Sequence, residues 1–157
     1  MGFFDNLFSS SNSNMDAIEI VKMRANQAGW KLNTLSSNLI VIGFLDELGV
    51  ENVYIRKCGE NSDGKTILEF SSKGIPLPDD LSLAALFGLM LLERNADMLM
   101  GHWGIEIVNG EKYFTVFHSM IAEGMDISEF KGAVKAIVNE KNKIKFDSLM
   151  SQIRNRR

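Results

Sequence analysis

The chain has 157 residues, 45% of them hydrophobic, a length that predicts one folded domain with one core rather than two independent domains. Its formal net charge of -3, from 17 basic and 20 acidic residues, argues against a general nucleic-acid-binding protein because an acidic surface repels phosphates. A single cysteine, Cys58, excludes an internal disulfide and a cysteine-based metal site. We expect Cys58 to be a packed thiol within a strand.

The two ends of the chain differ from its middle. Residues 1–13 combine apolar side chains at helical spacing with a Ser/Asn-rich linker, which predicts an apolar handle on a flexible tether. Alternatively, this segment folds back on its own domain or is disordered. The candidate docking residues in the handle are Phe3, Phe4, Leu7 and Phe8. Residues 145–157 are predicted to be a basic extension with a solvated surface, and residues 14–144 a single α+β domain.

The compartment follows from two further features. No apolar run approaches the roughly 18 residues needed to span a bilayer, and the N-terminus lacks the positively charged start of a secretory signal. We therefore expect a cytoplasmic protein. The handle contains no Lys or Arg that could meet anionic lipid, which weakens a membrane-surface interpretation.

The first half of the chain predicts a helix and an antiparallel meander. Ser13 and Asp16 fit a capping box for the helix, and Gly29 permits a left-handed end. The runs NLIVIGFLD, ENVYIRKCG and KTILEFSS are rich in β-branched and aromatic residues and are separated by turn-forming Gly, Asn and Asp. They predict three antiparallel strands, with residues 30–35 as a short extended lead-in. The two prolines of GIPLPDD are expected to end the meander.

The second predicted helix is unusually apolar. Between residues 81 and 92 the sequence reads LSLAALFGLMLL, following a cap at Asp79 or Asp80. A surface helix normally shows a polar stripe, and one small sheet can cover only one side of this helix. We predict that the other side packs against a second copy in a homodimer; the alternative is a helix enclosed within its own chain. The candidate interface residues are Leu83, Leu86, Phe87 and Met90.

A hairpin and a third helix complete the predicted fold. The dipeptide Asn109-Gly110, flanked by alternating apolar residues, is the strongest short-range hairpin signal. Asp126 and Glu129 fit a capping pair at the start of the third helix, and a further amphipathic segment extends toward the basic end. The predicted fold class is α+β, an antiparallel sheet with helices packed on it, in the order α-β-β-β-α-β-β-α.

The polar residues do not form a catalytic, cofactor or metal site in the sequence. His102 and His118 lack a second ligand at metal-binding spacing, and Ser119 points to the opposite face of a strand from its neighbour His118. At the end of the second helix we expect structural roles, with Asn95 in a C-terminal cap and Arg94 against the exposed carbonyls. The sequence does not predict an enzyme.

The order of elements resembles a known fold. With LLERNAD before GHWGIEI, it is similar to type III secretion chaperones and to the YbjN-like bacterial family. These families show a helix that ends in Leu-Leu-x-x-Asn, matched here by Leu91, Leu92 and Asn95, followed by a strand pair and an amphipathic helix. The resemblance covers residues 15–144. It implies a homodimeric, cofactor-free module that holds partner polypeptides, with the second helix at the dimer interface.

These observations predict a non-catalytic protein-binding module, of chaperone or adaptor type, that holds a client polypeptide as a homodimer. Apolar strips beside the first helix and exposed sheet edges are expected to hold the client, partly by strand addition. A ligand-sensing regulatory module and a membrane-peripheral protein that uses the N-terminal phenylalanines remain the alternatives. The candidate client-binding residues are Ile18, Val21, Ile40, Ile42, Val53 and Ile55.

Overall fold

The computed structural model describes residues 15–46 and 49–155. The elements in chain order are α1 Ala17–Ala28, β1 Lys31–Ser36, β2 Leu39–Asp46, β3 Gly49–Glu60, β4 Thr66–Pro76, α2 Leu81–Asn95, β5 His102–Val108, β6 Glu111–Ile121, α3 Ile127–Lys143 and α4 Phe146–Asn155. The predicted α+β class with an antiparallel sheet is confirmed. The extended lead-in is a complete strand, β1, and the last amphipathic segment is the helix α4.

The six strands form one antiparallel sheet in the order β1-β2-β3-β4-β6-β5. The second strand of the C-terminal hairpin, β6, pairs with β4, so β5 lies at one edge of the sheet and β1 at the other. The register places Ile40 opposite Ile55, and Ile55 opposite Phe70. Because alternate residues share a face, these pairs build one continuous apolar face across the middle of the sheet.

The core lies between that apolar face and the helices. Phe130 of α3 is fully buried, with its ring centroid 6.0 Å from Phe70 of β4 and 5.7 Å from Trp30. Phe87 of α2 packs edge-on against Phe146 of α4 at 5.4 Å. Each fully buried side chain of this size contributes about 1.5–3 kcal/mol relative to an exposed one. Aromatic contacts therefore link α3 to the sheet and to the segment that follows α1, and link α2 to α4.

Most predicted caps and turns are confirmed. Asp126 and Glu129 form a reciprocal capping box at the start of α3, and the Asp80 carboxylate accepts a hydrogen bond from Leu83 N at 2.9 Å. Gly29 ends α1 in the left-handed conformation. In the β5–β6 turn, Asn109 and Gly110 have φ angles of 52° and 84°, as a type I′ turn requires.

Two local predictions are corrected. The N-cap of α1 is Asp16, whose carboxylate accepts a hydrogen bond from Ile18 N at 2.8 Å; Ser13 lies outside the described residues. The strand β4 is longer than the predicted run KTILEFSS: it continues through an irregularity between Lys73 and Pro76 and ends at Pro76, the first of the two prolines expected to end the meander. A proline is tolerated there because it stands at the end of the strand, beyond the irregularity.

Part of the predicted basic extension packs on the domain. Leu149 of α4 is 1% exposed and belongs to the core, with Met150 and Ile153 packed partly against it. The described part of residues 145–157 therefore contributes apolar burial as well as basic charge.

Two glycines give a test of the fold. A side chain at Gly101 would place Cβ 2.6 Å from the Phe117 carbonyl oxygen, at a φ of +79°, whereas a Cβ at Gly132 in α3 meets no atom within 4 Å. We expect Gly101→Ala to lower the free energy of unfolding by about 2–3 kcal/mol. The matched Gly132→Ala should raise it by about 0.5–1 kcal/mol. Urea unfolding followed by tryptophan fluorescence measures both, and equal stability of the two variants would contradict the described backbone at Gly101.

Candidate protein-interaction surfaces

One arc of α2 is apolar and left uncovered by the residues that the structure describes. Leu89 and Leu92 are 60% and 62% exposed, and Leu81 and Leu86 are exposed beside them. The opposite arc is buried within the chain's own core. A row of exposed leucines along one helix is unusual for a protein that remains a monomer, because such patches promote association.

The structure divides the predicted interface residues between the two arcs. Phe87 and Met90 are buried in the core of the same chain, and Leu83 is partly buried there. Only Leu86 lies on the exposed arc. Leu89 and Leu92 are not among the predicted interface residues, because an almost wholly apolar helix carries no polar stripe that would show which arc faces the sheet.

The edge strand β5 turns some of its backbone groups away from the sheet. Val108 pairs with Glu111 next to the two-residue turn, and such a closing pair exchanges both of its backbone hydrogen bonds. Because the direction alternates along a strand, Trp103, Ile105 and Ile107 point their N–H and C=O groups outward. These three residues form the outer edge of β5, which we call the free side of β5.

Asn95 substitutes for a missing strand at the first of these positions. Its side-chain Oδ1 accepts a hydrogen bond from Trp103 N at 2.6 Å, and its Nδ2 donates to Trp103 O at 3.1 Å. Ile105 and Ile107 have no comparable partner within the described ranges, and their side chains are 57% and 65% exposed. The role of Asn95 is structural, as predicted, but it closes an edge rather than capping α2, whose C-cap is Ala96.

The exposed arc of α2 and the free side of β5 are neighbours. Leu92 lies four residues after Gly88 and three before Asn95, so all three share one side of the helix. Gly88 faces the ring of Phe114 on β6, and Asn95 holds Trp103 on β5. Leu92 therefore borders β5. We call the combined apolar area the α2–β5 surface; it consists of Leu81, Leu86, Leu89, Leu92, Ile105 and Ile107.

A partly buried ion pair fixes the end of α2. Arg94 pairs with Glu140 of α3, whose side chain is 7% exposed, and the Trp103 indole N–H donates to Glu140 at 3.2 Å. Burial alone would raise the pKa of Glu140, but the hydrogen bonds from Arg94 and Trp103 outweigh it and lower the pKa below its ordinary value. Arg94 thus binds a carboxylate of α3 rather than the carbonyls predicted from the sequence.

A second surface lies between α1 and β1. Met15, Met23 and Leu32 line a groove with a volume of about 870 Å³, together with polar residues of α1 that include Glu19 and Lys22. The neighbouring strand β1 is the other edge of the sheet and is mostly exposed. We call this area the α1–β1 groove. Methionines suit such a surface because their flexible side chains adapt to different partners.

The predicted client-binding residues are corrected by their burial. Ile18, at 4% exposed, is the most accessible of the six, and the other five are completely buried. Ile18 and Val21 face the core from α1, and alternation in β2 and β3 directs the other four toward the helices. They are unavailable to a client in this conformation. The predicted docking residues Phe3, Phe4, Leu7 and Phe8 lie outside the described residues.

The polar residues considered for chemistry are dispersed. Cys58 is exposed rather than packed, at an irregularity in β3, and partial desolvation together with Glu69 raises the pKa of its thiol. His118 is half-buried, and burial together with His102 lowers the pKa of its imidazole. Within residues 15–46 and 49–155, no three His, Cys, Asp or Glu side chains are grouped as ligands for a metal.

Comparison with known proteins gives no assignment: no family model matches the chain, and no curated protein matches it significantly. The resemblance to type III secretion chaperones and the YbjN-like family thus remains an expectation from the order of elements. None of the helices in the described part of the chain combines the length and apolar character needed to cross a membrane.

The Glu140 ion pair predicts a pH-dependent stability. The pKa of Glu140 is lowered in the folded protein. The stability that the ionised Glu140 contributes is therefore fully present above the ordinary glutamate pKa of about 4.3, and it is lost as the pH falls through the lower pKa of the folded state. Glu140→Gln should lower the free energy of unfolding by about 1–3 kcal/mol at pH 7. The difference from the unsubstituted protein should shrink below pH 4 in urea unfolding.

The exposed Glu60 at the end of β3 provides the matched control. Glu60→Gln should change the free energy of unfolding by less than about 0.5 kcal/mol at either pH. A Glu140→Gln variant as stable as this control at pH 7 would show that the ion pair does not hold α2 in place.

Proposed function

We propose that the protein is a non-catalytic protein-binding module that acts as a homodimer and holds a client polypeptide. The observation that carries the proposal is the α2–β5 surface. The chain has already filled its core with Phe87, Leu91 and their neighbours, and a continuous apolar area still remains exposed on the same helix. Apolar area of this kind is stabilised when a partner buries it.

A second copy of the chain fits the α2–β5 surface because the surface is self-complementary. Two β5 strands that pair antiparallel about a twofold axis at Glu106 place Ile105 of one copy opposite Ile107 of the other. Their outward N–H and C=O groups then satisfy each other. Glu106 already contacts Arg56 at 3.4 Å, which reduces the repulsion between the two Glu106 carboxylates at the axis. The exposed arcs of α2 lie on the same side of the joined sheets.

The α1–β1 groove is the proposed client site. It lies at the opposite edge of the sheet from β5, so a client and a second copy can bind at the same time. Edge strand β1 offers backbone groups for strand addition, and Met15, Met23 and Leu32 offer apolar contacts to alternate client side chains. The proposed compartment is the cytoplasm, where the exposed Cys58 thiol stays reduced.

If the α2–β5 surface forms a dimer, one charged substitution in it should separate the two copies. Leu89→Glu places a carboxylate in the centre of the α2–β5 surface, so light scattering at micromolar concentration should change from twice 17.6 kDa to the single-chain mass of 17.6 kDa. The matched Leu45→Glu alters a leucine that is 82% exposed on β2, away from α2, and should remain a dimer. A single-chain mass for the unsubstituted protein would refute the dimer.

Backbone pairing of β5 has its own test. Ile107→Pro removes an outward N–H without removing a bond to β6, so the hairpin should persist in circular dichroism while the dimer dissociation constant rises at least tenfold. Ile107→Thr keeps the N–H and the strand preference and should weaken the dimer less. If the two variants weaken the dimer equally, side-chain burial alone holds the copies together.

The client site is tested with defined peptides. Fluorescently labelled 12-residue peptides with β-branched apolar residues at alternate positions should bind, and Met23→Glu should weaken binding at least fivefold in anisotropy titrations by adding a charge to the groove. Val50→Glu, at a position 71% exposed outside the groove, is the control. Equal affinities in the two variants would exclude the α1–β1 groove as the binding site.

A further inference from the structure

The α1–β1 groove follows one side of α1. Counted from Glu19, its lining residues on the helix occupy positions i, i+3, i+4, i+7 and i+8, which share one face of a helix. Glu19 and Gln27 lie roughly 12 Å apart along the axis, at 1.5 Å per residue. The groove therefore runs along most of α1, beside the edge strand β1. Its lining residues are Met15, Glu19, Lys22, Met23, Asn26, Gln27 and Leu32.

The groove favours an uncharged, apolar occupant. Its two charged lining residues, Glu19 and Lys22, pair with each other at 2.6 Å, so neither sign of charge predominates. Met15 is 37% exposed, and Met23 and Leu32 are half-buried, which leaves apolar surface open to contact. Burying this surface against apolar side chains is favourable, whereas a strongly charged segment gains nothing there.

The described domain begins at this groove. Asp16, the N-cap of α1, accepts a hydrogen bond from Ile18 N at 2.8 Å and pairs with Lys57 of β3 at 3.4 Å. These two contacts hold the preceding residue, Met15, which lines the groove. Residues 1–14 are therefore joined to the domain at the end of the groove where α1 starts.

Residues 1–14 have a composition and a length that suit the groove. Their sequence, MGFFDNLFSSSNSN, carries Phe3, Phe4, Leu7 and Phe8, and Asp5 is its only charged side chain. An extended chain from residue 8 to residue 15 spans up to roughly 24 Å, more than the roughly 18 Å of the 12-residue helix α1. The apolar side chains can therefore reach any part of the groove, at a local concentration on the order of 1 mM.

We propose that Phe3, Phe4, Leu7 and Phe8 of the same chain occupy the α1–β1 groove and compete there with the client. This inference rests on the proposed function, since it concerns the regulation of the proposed client site. An intrinsic dissociation constant of about 0.1 mM, against a local concentration of about 1 mM, leaves roughly one tenth of the grooves free. The client then binds about tenfold more weakly than it binds an empty groove.

Occupancy of the groove is measured first, without a client. A nitroxide attached at Asn6→Cys, in a Cys58→Ser background of the isotope-labelled full chain, should broaden the backbone amide signals of Met23 and Leu32. A mixture of isotope-labelled chains without nitroxide and unlabelled chains with it detects contacts between copies. Broadening as strong in this mixture would assign the groove to the N-terminal residues of a second copy and overturn the same-chain occupant.

Two double substitutions distinguish binding in the groove from mere proximity. Phe4→Ser with Phe8→Ser removes apolar side chains and should restore the Met23 signal, whereas Phe4→Leu with Phe8→Leu retains them and should retain the broadening. Both positions precede the described domain, so the melting temperature should be the same in all three proteins. Equal broadening in the two double variants would overturn the proposal, because attachment of the segment at Met15 alone would explain it.

Competition is measured with the fluorescently labelled 12-residue peptides. The double serine variant should bind them about five- to tenfold more tightly than the unsubstituted chain, and the double leucine variant as weakly as the unsubstituted chain. Equal affinities of the two double variants would overturn the competition and leave the client site intact. Broadening at Met23 without peptide binding by any variant would instead refute the client site, and the competition with it.

Discussion

The arrangement of α2 depends on how Trp103 is held. Asn95 binds its backbone N–H and carbonyl, while Glu140 accepts its indole N–H and pairs with Arg94. One tryptophan thus joins the end of α2 to the edge strand β5 and to α3. These contacts are directional, unlike the apolar packing of the rest of α2, so they determine which arc of the helix faces the core and which faces outward.

Most helices and strands of this fold are determined by local sequence, and most of them could therefore be predicted. Asn109-Gly110 specifies the hairpin, and Asp126 with Glu129 specifies the start of α3, because turn and cap chemistry acts over three or four residues. The order of elements and the antiparallel sheet followed from alternation in the strands. The pairing of β6 with β4 did not, since it joins segments about 40 to 50 residues apart and both strands of the hairpin show the same alternation.

The candidate surfaces were harder to predict for a physical reason. Apolar periodicity marks residues such as Ile40 and Val53 as belonging to one face, but an apolar face can pack internally or against a partner with the same pattern. Burial in the folded chain resolves that choice in favour of the core. The role of Arg94 was equally inaccessible, because its partner Glu140 lies more than forty residues away in sequence.

The side-chain amide of Asn95 limits the addition of further strands at the β5 edge of the sheet. An edge strand with a long row of unpaired N–H and C=O groups can pair repeatedly with further chains, as in fibrils. Here the Asn95 side chain binds the outward N–H and C=O groups of Trp103, and the tight turn ends the strand after Val108. Only the outward backbone groups of Ile105 and Ile107 therefore remain open on β5 within the described structure. Through so short an opening, the β5 edge can pair with one neighbour in one register, which fits the proposed closed pair better than a filament.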